Sequence, residues 1–280
     1  MTNLVTESGA WGLDVLGLQP LDVIPDALIM TCSTRAGTVE GDAPAVKIPL
    51  IRLDDDVHPV REGAEIPEAN PDRDEATVIT NKVAVLVKTS REQLAQPDAL
   101  TVITHEIRRA LTYRADFMFA AQPAPAVGES WPPAGLLARA SAAGDIVDNL
   151  DALVDAVALI ESTPGGQASH ILAHPLAYSA IRKYKTATNS NVSLVGAGTE
   201  AGPKTLLDLP VITRAALPPD VVMVLDKSQV LSAYGDVLVN RSDHAAFSSD
   251  SVMLRATYRF GITLVDQDAV QVLQVPEPTP

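Results

Sequence analysis

Along TVITNKVAVLVKTS (77–90) apolar and polar residues alternate with a period of two, which puts Val83, Val85 and Val87 on one face and predicts a strand. AVKIPLIRL (45–53) predicts a second strand, and Pro49 confines it to an edge or to a two-stranded arm. Between them, DDDVHPVREGAEIPEANPDRDE (54–75) is rich in acidic residues and proline and has almost nothing apolar to bury. Alone it reads as a disordered loop; between two strands it reads as the charged tip of a hairpin arm. At ~3.3 Å per residue a dozen strand residues reach about 40 Å. A lone hairpin is marginal in water, so the arm is expected to need a neighbour.

The period then changes. Ser90 and Gln93 fit a capping box, and Pro97 with Asp98 restarts a helix expected to run to Gln122. Ile103, Ile107, Ala110, Leu111 and Met118 form its apolar stripe, with Glu106, Arg108, Arg109, Arg114 and Asp116 mostly outside it. PAPAVGESWPPAG (123–135) breaks the helix and is the strongest candidate boundary. Residues 1 to about 35 hold isolated apolar residues among Gly and Pro and read as an extended arm needing an outside surface. The second half reads as α+β. It has an amphipathic helix over 146–162 (Ile146, Leu150, Leu153, Val154, Val157 and Ile160 on one side) and a short buried strand at SHILAH (169–174). A helix opened by Pro175 follows, with Leu176, Ile181 and Tyr184, then a mobile Gly-rich loop over 186–204. TLLDLPVIT, DVVMVLD and DVLVN predict strands, and residues 251–275 predict a pair of strands joined near Asp266–Asp268.

Composition narrows what such a chain does. With 280 residues and 46% hydrophobic content a real core forms. Aromatic residues are only 4%, too few for a base-stacking platform. The formal net charge of −14 argues against a phosphate-binding surface, which needs clustered Lys and Arg. Cys32 is the only cysteine, so no intrachain disulfide and no Cys-rich metal site exist. The first residues have no basic and apolar pattern of a signal peptide, and nothing approaches the ~20 apolar residues of a membrane span. The expectation is a soluble chain from a reducing compartment.

Candidate chemistry is sparse. His170 and His174 have the spacing of helical zinc ligands, but Ile-Leu-Ala between them supplies no general base and Pro175 makes the segment a strand–helix junction. GAGTEAG (196–202) has glycines of a dinucleotide loop, yet a proline and a strand follow it instead of a helix. STPGG (162–166) has no phosphate-loop lysine after it, and the Asp54–Asp56 run reads as a solvated tip. No catalytic, cofactor-binding or metal residue is assigned, and no cofactor is expected. Contact-making features dominate: an N-terminal arm, a hairpin arm and a long surface helix.

Five segments in this order resemble the major capsid proteins of tailed phages, the Hong Kong 97-type fold. VREGAEIPEANPDRDEATVITNKVAVLVKTSREQL is similar to that family's E-loop return, and THEIRRALTYRADFMFAAQ to its spine helix. ILAHPLAYSAIRKYK and TLLDLPVIT resemble A-domain segments, and DSVMLRATYRFGITLVDQDAVQVLQV resembles the closing P-domain strands. The resemblance spans about Pro44 to Val275. It implies an α+β capsid fold: N-terminal arm 1–35, E-loop and return strand 36–89, P-domain spine helix 90–130, A-domain 131–240, P-domain closing strands 241–275 and a disordered tail 276–280. It implies a non-enzymatic shell protein of the virion, assembled in the host bacterial cytoplasm into pentamers and hexamers around double-stranded DNA held without sequence-specific contacts. The partners implied are further copies of itself, a separate scaffolding protein or none, portal and decoration proteins, and no membrane. Residues expected at intersubunit contacts are Lys47, Asp54, Asp55, Asp56, Arg61, Glu62 and Glu65 on the arm and Arg108 and Arg109 on the spine helix. Some family members join an E-loop Lys to a P-domain Asn with a Glu as base. Here Lys47 and Asn240 fit those places, but no glutamate lies between Glu200 and Glu277, so the base is missing unless Asp243 or Asp250 replaces it, and no covalent chainmail is expected. The alternatives are an encapsulin-type nanocompartment and a soluble enzyme using loop 196–202.

Overall fold

A computed structural model describes residues 16–52, 57, 59–66, 68, 72–186, 190–195 and 203–276. The described residues build thirteen strands: β1 (Leu16–Leu18), β2 (Thr34–Thr38), β3 (Ala45–Arg52), β4 (Asp72–Ser90), β5 (Ser141–Asp145), β6 (His170–Ala173), β7 (Thr205–Leu206), β8 (Leu209–Thr213), β9 (Val221–Leu225), β10 (Val230–Tyr234), β11 (Val237–Ala246), β12 (Ser251–Leu264) and β13 (Val270–Gln274). Its helices are α1 (Pro20–Val23), α2 (Leu28–Thr31), α3 (Arg91–Leu94), α4 (Ala99–Ala120), α5 (Asp151–Glu161) and α6 (Pro175–Lys183).

Two sheets result. In the seven-stranded sheet β12 is central: β4 pairs along one edge, and β11 and then β10 pair along the other. The six-stranded sheet has the order β5-β13-β9-β6-β8-β7. Every residue of β9 is buried, which explains its unbroken apolar sequence. Val221, Met223 and Leu225 face a core shared with α4 and the first sheet, while Val222 and Val224 face the core under α5 and α6.

The helix α4 forms where the apolar period predicts it. Ser90 caps α3 with both bonds of a capping box. Asp98 stands before α4 with φ 63, so Pro97 lies in the turn outside the helix rather than in its first turn. Ile107, Leu111, Ala115, Met118 and Phe119 are buried. Ala110, expected in the stripe, is exposed, and Asp116, expected outside it, is buried, because the N-terminal segment covers the last turns of the helix.

Other expectations change. Residues 20–33 are not an extended arm: α1 and α2 insert Ile24, Ala27, Leu28, Ile29 and Cys32 into the main core. Their spacing matches no single period because two one-turn helices divide it. α5 starts only at Asp151, so Leu153, Ala156 and Ile160 are buried while Val154 is exposed and Ile146 is buried at the exit of β5. In α6 the buried residues are Ala177, Tyr178 and Ile181, and Leu176 is exposed. The strands over 251–275 exist but do not pair with each other. β12 already has both edges filled, so the chain crosses at 265–269 and β13 joins the second sheet between β5 and β9. β1, β2, β5 and β10 were not foreseen as strands.

Candidate intersubunit surfaces

β4 is one unbroken strand of 19 residues with two partners. From Thr80 to Ser90 it pairs with β12, and from Asp72 to Ile79 it pairs with β3. The N-terminal half of β4 therefore leaves the sheet as a hairpin with β3. Its root is not coreless, contrary to the sequence expectation. Ile48 and Val78 are buried against Val39, Leu231 and Ala233. Thr80 donates from Oγ1 to the Ala43 carbonyl at 2.6 Å and receives Arg259 Nη1 at 3.0 Å. Arg259 Nη2 reaches Asp42 at 3.2 Å. Gly261 is required here, since a Cβ would stand 2.4 Å from the Ile79 carbonyl oxygen. Beyond this root the arm is exposed. At the tip, Val57 and Ile66 are each 77% exposed, and Arg61, Glu62, Glu65 and Glu68 are exposed as well. Asp54, Asp55 and Asp56 lie outside the described residues.

The expected partner residues on α4 are engaged within the chain. Arg108 Nη2 donates to the Asp22 carbonyl at 2.8 Å, and Arg109 Nη2 donates to Glu106 at 2.8 Å one turn back. Hydrogen bonding from Arg109 holds the Glu106 carboxyl below its usual range. Lys47 Nζ bonds Glu75 Oε2 at 2.6 Å across the hairpin, and that bond raises the lysine pKa. Asn240 sits on β11 opposite Arg255, and β11 shares no edge with β3. Lys47 and Asn240 are thus not neighbours along any strand pair.

A buried junction escaped the sequence reading. Asp116 Oδ1 accepts the Leu28 amide at 2.7 Å, and Oδ2 accepts Arg214 Nε at 3.0 Å. Arg214 Nη2 also donates to the Asp26 carbonyl. One carboxylate therefore ties the N-terminal segment, α4 and the strand end after β8. Burial pushes its pKa up to about 6, against the opposing pull of the Leu28 amide and Arg214. The available signal was an acid inside the apolar run from Ala115 to Phe119.

Other chemistry is thin. His170 lies in a strand, where burial lowers its pKa, and His174 caps α6 by accepting the Leu176 amide at 3.1 Å. Among the described residues no group of three His, Cys, Asp or Glu side chains is placed to hold a metal ion. Loop 196–202 lies outside the described residues. STPGG forms a turn, closed by the Gly166 amide on the Thr163 carbonyl at 2.9 Å. A cleft of about 410 Å³ between the arm root and that turn is lined by Leu50, Ile51, Ile160 and Val265, with Asp226 on its wall. Asp226 is already satisfied by the Gln167 and Ser228 amides at 3.0 and 2.8 Å. No helix among the described residues is long and apolar enough to cross a membrane.

The architecture has close counterparts. The capsid of a native GTA particle is similar over 88% of this chain and 89% of its own, with TM-score 0.65 and 20% identity. The structure from Gordonia phage Cozz covers 90% and 87%, with TM-score 0.69 and 15% identity. That from Microbacterium phage Oxtober96 covers 89% and 91%, with TM-score 0.69 and 15% identity. At these identities the likeness shows the fold, which is the Hong Kong 97-like α+β fold. No curated protein sequence matches the chain. The sequence profile of the Phage capsid family matches residues 34–275, everything from β2 to the end of β13. These matches do not favour the encapsulin alternative. With that profile along its sequence and that fold in its backbone, the chain belongs to the phage capsid family, as a structural major capsid protein.

Proposed function

We propose that the chain self-assembles into the pentamers and hexamers of an icosahedral shell around phage double-stranded DNA, with the β3–β4 arm as an intersubunit strap. The observation that carries this reading is the double use of β4. Half of the strand is locked into the sheet, and half projects as a hairpin whose tip holds exposed Val57, Val60 and Ile66 among acids. Apolar side chains on so slender an element stay wet until another surface covers them. A standard interface buries about 1,600 Å² in total, and many modest contacts per subunit act together in a closed shell. The first sheet with α4 takes the role of the P-domain, and the second sheet with α5 and α6 that of the A-domain. On this division β10 and β11 belong with the P-domain sheet and β13 with the A-domain sheet, so the boundaries at 131–240 and 241–275 shift accordingly. The net charge of −14 suits a wall that must not trap an anionic polymer. Portal, decoration and separate scaffolding proteins, and assembly in the bacterial cytoplasm, complete the proposal, with no enzymatic turnover.

Deleting residues 54–74 tests it. The expected product is a soluble subunit with unchanged circular dichroism that forms no closed particles by electron microscopy. Closed shells from the deletion variant would refute the strap.

A further inference from the structure

We infer that Arg182, Lys183, Lys185 and Lys204 form a contact for the phosphate backbone of double-stranded DNA, at the β7 edge of the second sheet. The inference rests on the shell reading above and names where the cargo touches the wall. A net charge of −14 argues against phosphate binding only while the cations are scattered. The fold gathers four of them. Arg182 and Lys183 stand in the last turn of α6, Lys185 follows it, and Lys204 directly precedes β7, the outermost strand of the sheet. Tyr178 joins the two stretches. Its ring is buried and lies 5.9 Å from Arg182 Cζ and 5.7 Å from Lys204 Nζ. Lys204 Nζ also donates to Thr213 Oγ1 at 2.9 Å. Beyond α6 the chain folds back on the helix end: Lys185 and Ser193 form an antiparallel bridge, and the Ser193 hydroxyl donates to the Arg182 carbonyl at 2.9 Å.

All four cations are exposed, and none has an ion pair among the described residues. From His174 to Thr213 the described residues hold one acid, Asp208. A cation in the last turn of a helix complements the helix dipole. That accounts for Arg182 and Lys183 but not for Lys185 or Lys204. The same stretches expose Thr186, Asn191 and Thr205. Phosphate oxygens draw hydrogen bonds from this set of side chains. Neither Tyr178 nor Tyr184 is exposed, so no ring is offered for stacking on bases, and the contact is blind to sequence. The rival occupant is α5 of another copy, where Asp151, Asp155 and Glu161 flank exposed Val154 and Leu159. Three of the four cations are lysines, however, a residue depleted at protein interfaces and recruited by phosphates. The exposed apolar side chains nearby, Val192, Leu194 and Leu207, fall short of the core of a standard interface. One such patch on an otherwise acidic subunit holds DNA weakly and reversibly, in keeping with a wall that must not trap its cargo.

The full chain, titrated against a short fluorescent duplex, reads the contact. Four neutralised phosphates predict a salt slope of about −3.6, so binding should weaken about a hundredfold between 50 and 200 mM salt. Two duplexes of unrelated sequence should behave alike. The variant K183Q/K185Q/K204Q is expected to keep its circular dichroism and its closed particles while the slope falls to about −0.9, the value left by Arg182 alone. K183R/K185R/K204R should keep the wild-type slope. An unchanged slope in the glutamine variant, or no binding by the wild-type chain at 50 mM salt, would overturn the inference. Loss of closed particles by electron microscopy with DNA binding intact would give the patch to an acidic neighbour and overturn it likewise. In DNA-filled particles the three lysines should resist acetylation that labels them in empty ones, and equal labelling would count as refutation. If the wild-type chain binds DNA through these lysines yet never forms shells, the patch stands and the shell reading falls.

Discussion

Asp116 has a side chain only 3% exposed and meets the guanidinium of Arg214 at 3.0 Å. Burial raises its pKa from 3.8 to about 6, so between those values the folded chain binds more protons here than the unfolded chain. The stability that Asp116 contributes is therefore fully present below about pH 4 and is lost as pH rises through 6. Arg214 limits that loss by attracting the ionised form. Arg214→Met keeps the apolar stem and removes the charge, leaving a buried carboxylate with the Leu28 amide alone. The expected cost at pH 7 is about 3 kcal/mol, shrinking at pH 4, where the carboxyl is neutral in both variants. Urea denaturation at the two pH values checks this, and an equal cost at both would count against it. The junction was not legible in the sequence. An acid inside an apolar run hints at a buried partner, but Arg214 lies 98 residues away and no spacing rule reaches that far.

At the scale of elements, what was legible is what a local period specifies. Val83, Val85 and Val87 alternate because one face of β4 meets α4, and Ser90 with Gln93 caps α3 through short-range bonds. The illegible elements depend on distant partners. Ile24, Leu28 and Ile29 look like scattered residues of an arm until α4 and β12 provide the pocket. β12 and β13 alternate well, yet their pattern does not say that β12 lacks a vacant edge. The root of the arm shows how tightly such an element is positioned. Gly261 lets the Ile79 carbonyl approach to where a Cβ would stand at 2.4 Å. Gly261→Ala must push backbone aside, at a cost of about 1–3 kcal/mol. Hydrogen exchange should accelerate across 44–50 and 76–80 while α4 remains protected, and unchanged exchange at the root would contradict this role.

At the scale of the whole molecule, the shell is expected to hold together without covalent links. Lys47 is exposed and paired with Glu75, and the bond keeps its proton on the amine. An isopeptide bond needs that nitrogen neutral, and the ordinary lysine pKa of about 10.4 already opposes it. Boiled in detergent and run on a denaturing gel, mature particles should give one band near 29.6 kDa. A ladder of multiples surviving reductant would disprove this. The continuity of β4 also has a mechanical side. A pull on the arm along its own axis loads the bonds from Thr80–Gly261 to Ser90–Ser251 in parallel, as shear. Bonds loaded together must fail together, whereas a strand peeled sideways from β12 would lose them one at a time. A tensile load arriving at the tip is thus spread along the central strand of the subunit and does not concentrate at the hinge of a loop.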